Sequence, residues 1–114
     1  MDAANRLVVI WTSGDREVAL KCAFMYTINA KMHSWFDDVC LVVWGPSAKL
    51  LSEDAELQEY IGRMAQVGVT IEACKACTDQ YGVSEKLSAL GCDVKYMGEP
   101  LTGYLQEERK VLTF

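Results

Sequence analysis

The chain has no concentration of positive charge: 11 Lys and Arg stand against 16 Asp and Glu, for a net charge of −5. A nucleic-acid surface needs clustered cations to displace counterions from phosphate, and an anionic membrane repels an acidic surface. Neither nucleic acid nor membrane is therefore an expected partner. Long apolar runs are missing too. The stretch Leu7-Val8-Val9-Ile10-Trp11 falls far short of the roughly 20 residues that cross a bilayer. Met1-Asp2-Ala3-Ala4-Asn5-Arg6 lacks the pattern of a secretory signal, so a cytoplasmic location is expected. The glycines and lysine of a P-loop are absent, as is G-x-G-x-x-G, and Ser13-Gly14 before a helix offers only a weak anion site. Metal donors are sparse. Beside Cys74-x-x-Cys77, the remaining Cys22, Cys40, Cys92 and the single His33 form no second ligand pair of the kind a zinc site needs, so no metal is expected.

What is present suits one α/β domain spanning residues 1–114. Hydrophobic residues make up 51% and charged residues 24%, enough for a core. No repeat, linker or low-complexity tract interrupts it. Arg6 to Thr12 and Asp38 to Trp44 read as continuous apolar strands, the pattern of a parallel sheet buried on both faces. Between them Ala19, Cys22, Ala23, Tyr26 and Ala30 recur at helical spacing, with Ser13 or Asp15 as cap. Gly45-Pro46-Ser47 stops the second strand. Ser52, Glu53 and Asp54 then suit the start of a helix running to Gly68. Strands over Val69–Ala73, Val94–Met97 and Lys110–Phe114 follow, with a helix over Ser84–Leu90 and a short helix or loop after Gly98. Strands alternating with helices imply right-handed crossovers and a mostly parallel, five-stranded open sheet with helices on both faces.

In such a sheet the loops that follow strands share one edge, where ligands bind. Those loops are Thr12-Ser13-Gly14-Asp15, Trp44-Gly45-Pro46-Ser47, Cys74-Lys75-Ala76-Cys77 and Gly98-Glu99-Pro100-Leu101. Cys74 sits where a strand hands over to a helical turn, a place that favours thiolate, and Lys75 adds positive charge nearby. A half-buried cysteine that only fills space fits the position equally well. The Cys74-x-x-Cys77 spacing also permits a dithiol, although thioredoxin-type motifs normally follow the first strand of their domain. Cys22, on the helix stripe, and Cys40, inside a strand, read as small hydrophobes. Cys92 and His33 fall on the opposite edge, His33 as a cap or surface residue. Trp11, Trp35 and Trp44 read as core or interface aromatics, with Trp44 opening onto the candidate edge.

Val69-x-x-x-x-Cys74 followed by Gly82-Val83 resembles the strand, cysteine and Gly-Val segment of the DsrE/DsrF-like family, which includes sulfur-relay (TusD/DsrE) and YchN-like proteins. The resemblance covers nearly the whole chain, including the opening strand and helix, Leu41-Val42-Val43-Trp44-Gly45, and the closing Lys110-Val111-Leu112-Thr113-Phe114. It implies a flavodoxin-like sheet, homotrimers or homohexamers, and a cysteine that carries persulfide sulfur between a donor and an acceptor protein. By position that cysteine is Cys74, and no metal or organic cofactor is needed. Cys77 and Tyr81 depart from the relay pattern. Cys77 opens a second chemistry, attack on a Cys74 persulfide with release of sulfide. The expectation is thus a sulfur carrier with Cys74 and Cys77 at its centre, and Thr12, Ser13, Gly14, Trp44, Gly45, Lys75 and Tyr81 around the substrate. A non-catalytic oligomeric binding protein and a dithiol oxidoreductase are the alternatives.

Overall fold

The computed structural model describes residues 2–114. Its five strands are β1 (Arg6–Trp11), β2 (Asp38–Val43), β3 (Thr70–Cys74), β4 (Asp93–Lys95) and β5 (Lys110–Thr113). All pair in parallel, in the order β4-β3-β2-β1-β5. The five-stranded parallel α/β sheet read from the sequence is borne out. From β1 to β4 the chain steps across the sheet in one direction, so right-handed crossovers deliver the intervening helices to one face. The return from β4 to β5 crosses the other.

The two faces are covered unequally. Leu7, Val9, Trp11, Leu41, Val43 and Ile71 point to the broad face and pack against Phe24, Leu51, Leu57, Ile61, Met64 and Leu87. Each such side chain contributes about 1.5–3 kcal/mol when fully buried. The narrow face carries Val8, Cys40, Val42, Cys74 and Met97, flanked by half-buried Ile10, Trp44, Cys77, Tyr104 and Val111. Its helix is α7 (Gly98–Gln106), which buries none of its own residues.

On the broad face, α1 (Arg16–Val18), a π-helical turn (Ala19–Ala23) and α2 (Phe24–Met32) form one continuous helix. Asp15 is the cap, its carboxylate accepting from the Glu17 N–H at 2.8 Å. Ala19, Ala23 and Ala30 are buried as the spacing predicts, but Cys22 is exposed. The i→i+5 turn winds more slowly than an α-helix. It delays the phase, so Phe24 and Thr27 face the sheet and Cys22 swings outward.

Two helices, α3 (Pro46–Glu53) and α4 (Ala55–Gln66), occupy the stretch where one was expected from Ser52. Pro46 stands at the first helical position, where its missing N–H costs no hydrogen bond. The cap of α4 is Asp54, which accepts from the Leu57 N–H at 3.0 Å. Ser52 lies inside α3, where its hydroxyl donates to the Lys49 carbonyl. Beyond β3 come α5 (Lys75–Tyr81) and α6 (Ser84–Ala89). His33 ends α2 and stacks on Trp35 at 5.3 Å.

Candidate functional site

The ends of β1 and β2 are stitched into one ridge. The Trp44 N–H donates to the Trp11 carbonyl at 3.1 Å and the Ser47 N–H to the Thr12 carbonyl at 3.1 Å. The buried Ser47 hydroxyl donates to the Trp11 carbonyl at 2.5 Å. The Thr12 N–H and hydroxyl both reach the Phe114 main-chain oxygen, at 2.7 and 3.0 Å, and the Ser13 N–H reaches the same oxygen at 3.3 Å. Gly14 fits beneath Pro46, where a Cβ would lie 3.4 Å from the proline Cβ. The sequence places Ser47 in the loop at this edge but assigns it no role, although a hydroxyl just after Gly-Pro at a helix start is a visible signal.

Gly45 turns the chain from β2 into α3 at φ 73°, ψ −140°, a conformation almost confined to glycine. The Gly45 N–H lies near enough to the Cys77 thiol to oppose the rise in its pKa.

Cys74 is the last residue of β3 and the cap position of α5. Strand alternation puts it on the narrow face with Glu72, and only 4% of it is exposed. Cys77, one turn into α5, packs into the same cluster. Burial and hydrogen bonding to Cys74 push the Cys77 thiol above its ordinary range, against the opposing pull of the Gly45 N–H. All five cysteines are free thiols.

The other cysteines differ in character. Burial and the neighbouring Glu72 charge push the Cys40 thiol far up, and it donates to Glu72 Oε1 at 3.1 Å. Burial raises Cys92 to about 11. Thiols so placed are poor nucleophiles. Exposed Cys22 lines an apolar groove of about 440 Å³ with Met25, Trp35 and Leu112, between α2 and β5. Neither Cys74 nor Cys77 lines that groove.

Glu72 was missed by the sequence reading, and it organises the narrow face. The residue is 4% exposed. Lys95 Nζ lies 2.5 Å from Oε2, and the Tyr104 hydroxyl donates to Oε1 at 2.6 Å beside Cys40. Burial alone would raise its carboxyl. The hydrogen bonds from Lys95, Tyr104 and Cys40 more than offset that and hold it below the usual range. Lys95 is raised by the same pairing and by Asp93. The signal was a lone charge inside the apolar run Val69–Ala73, in phase with Cys74.

Among the residues singled out in the sequence, Cys74, Cys77, Trp44 and Gly45 come together, and Thr12, Ser13 and Gly14 form the adjoining ridge. Lys75 turns outward, its ammonium 2.6 Å from Asp79 and 5.5 Å from the Tyr96 ring centre. Tyr81 ends α5 and is 41% exposed. Among the described residues no group of three or more His, Cys, Asp or Glu side chains is placed to hold a metal. No described helix is long and apolar enough to cross a membrane.

A family model described as DsrE/DsrF-like matches residues 6–114. A solved structure of a conserved protein of unknown function from Bacteroides thetaiotaomicron superposes with a TM-score of 0.96 at 37% identity, covering 100% of this chain and 98% of that one. The ychN protein of E. coli superposes with a TM-score of 0.75 at 19% identity, covering 96% and 98%, a likeness of fold. No curated protein matches the chain.

Proposed function

The chain belongs to the DsrE/DsrF-like family, and from that premise we propose that it is a sulfur-transfer protein in which Cys74 accepts sulfane sulfur and passes it on. The observation that carries this reading is the position of Cys74 at the end of β3, packed in one cluster with Cys77 at the start of α5. In the first step the Cys74 thiolate attacks the outer sulfur of a donor persulfide. A new S–S bond forms at Cys74 Sγ, the donor S–S bond breaks, and the donor cysteine leaves as thiolate. An acceptor thiolate then attacks the terminal sulfur, and Cys74 leaves in turn. Neither step needs a metal or organic cofactor.

The neighbouring groups have roles in this scheme. The Gly45 N–H and Trp44 border the sulfur pair, and the Thr12-Ser13-Gly14 ridge meets the incoming partner. Lys75 and Tyr81, exposed on α5, contact the donor or acceptor protein. The working form is a homotrimer or homohexamer in the cytoplasm, as the family resemblance implies.

The contact between the two thiols also favours a second reading, a dithiol. Cys77 thiolate would attack Cys74 Sγ of the persulfide, forming the Cys74–Cys77 disulfide and releasing hydrosulfide; an external dithiol would reset the pair. The burial that raises the Cys77 pKa weakens it as a nucleophile, which supports the carrier over this discharge. One measurement separates them: intact mass of the reduced protein after exposure to a low-molecular-weight persulfide. The carrier predicts a stable gain of one sulfur atom, mapped to Cys74 and lost in Cys74→Ser. Prompt sulfide release with loss of two hydrogens would establish the dithiol instead, and an unchanged mass would remove both.

A further inference from the structure

Cys74 is buried, yet sulfur transfer in either direction requires an attacking thiol to reach it in line. Met97, 1% exposed, and Tyr104 close over the narrow face in the same cluster as Cys74. Met97 lies in the passage from β4 into α7, and Tyr104 lies in α7 itself, near its end. That helix is weakly seated: it buries no residue of its own, and its Leu105 is 56% exposed. Beyond the packing of the Tyr104 ring, what fixes it is polar. The Tyr104 hydroxyl reaches Glu72 at 2.6 Å, and the Arg109 guanidinium lies 4.1 Å from the Tyr104 ring centre. Glu72 itself is anchored from two other strands, by Cys40 on β2 and Lys95 on β4. It precedes Cys74 by two residues on the same face of β3.

We propose that α7 is a hinged cover over Cys74, latched by the hydrogen bond from Tyr104 to Glu72, and that it lifts to admit the reacting partner. The apolar helices of the broad face stay in place during this opening. The cover rests on the sulfur-transfer reading for its purpose, but its mechanics do not depend on it. Glu72 and Tyr104 are positioning residues, acting on access to Cys74 and touching no substrate.

The test is the rate at which iodoacetamide labels each cysteine of the folded protein, resolved by peptide mass, in the wild type and in Tyr104→Phe. The substitution removes the hydroxyl and keeps the ring. A hydrogen bond to a charged acceptor is worth roughly a factor of ten or more in an opening equilibrium. Cys74 should therefore label about tenfold faster in the variant, while Cys22, exposed on the broad face, labels equally in both proteins. Cys92, buried under the broad-face helices, reports global unfolding and should stay protected. Equal Cys74 rates in the two proteins would overturn the proposal. So would a parallel rise at Cys74 and Cys92, because the cover would then open only when the whole fold does. No sulfur donor is present, so labelling reports on the cover even if Cys74 never carries sulfur.

Discussion

A carboxylate inside a sheet is destabilising unless several donors share its charge, and Glu72 has three, from β2, β4 and α7. Its folded pKa lies below the ordinary value. The stability it contributes is therefore present above the unfolded glutamate pKa, about 4.3, and is lost as pH falls through the folded value. Glu72→Gln should cost about 2 kcal/mol near neutral pH, the scale of hydrogen bonds to a charged group. Denaturant unfolding of both proteins from pH 7 to pH 3 should show the gap closing at the acid end. Parallel curves would mean that Glu72 contributes nothing as a carboxylate. At this scale Cys74 and Cys77 were legible because a cysteine at a strand end is visible in one dimension. The partners of Glu72 were not, since Cys40, Lys95 and Tyr104 lie far from it in the chain and only the sheet order joins them.

Between β2 and α3 a single residue, Gly45, makes the turn. A Cβ there would meet no neighbouring atom, so any penalty comes from backbone conformation alone. Gly45→Ala should lower stability by about 1–3 kcal/mol, the range for a residue forced into so sparsely populated a region. A denaturation midpoint equal to that of the wild type would refute this. The same turn shows where element boundaries slipped in the sequence. Gly-Pro-Ser is both a strand stop and a helix start, and Asp54 divides what periodicity reads as one stripe. The π turn after α1 was hidden for a related reason: a spacing of 3.6 assumes uniform winding, and Cys22 pays for the exception by facing solvent.

For the molecule as a whole, the alternation of strand and helix patterns was enough to give five parallel strands with helices on both faces. The unequal cover followed from strand order, which the alternation does not specify. Exposed Met25, Trp35 and Leu112 line the groove between α2 and β5, the sort of apolar surface that subunits bury. Light scattering should accordingly return three or six times the 12.7 kDa chain mass. A monomer would remove the oligomer from the proposed function.

Because β5 pairs with β1, the first strand is completed by the strand farthest from it along the chain. Until residues 110–113 dock, β1 keeps one edge open. The Thr12 bonds to Phe114 join residues 102 apart, and such distant closures form late in folding because their loop entropy must be met first. The ridge beside Cys74 is thus among the last parts of the fold to take shape, and a partly folded chain carries its thiols without that ridge in place.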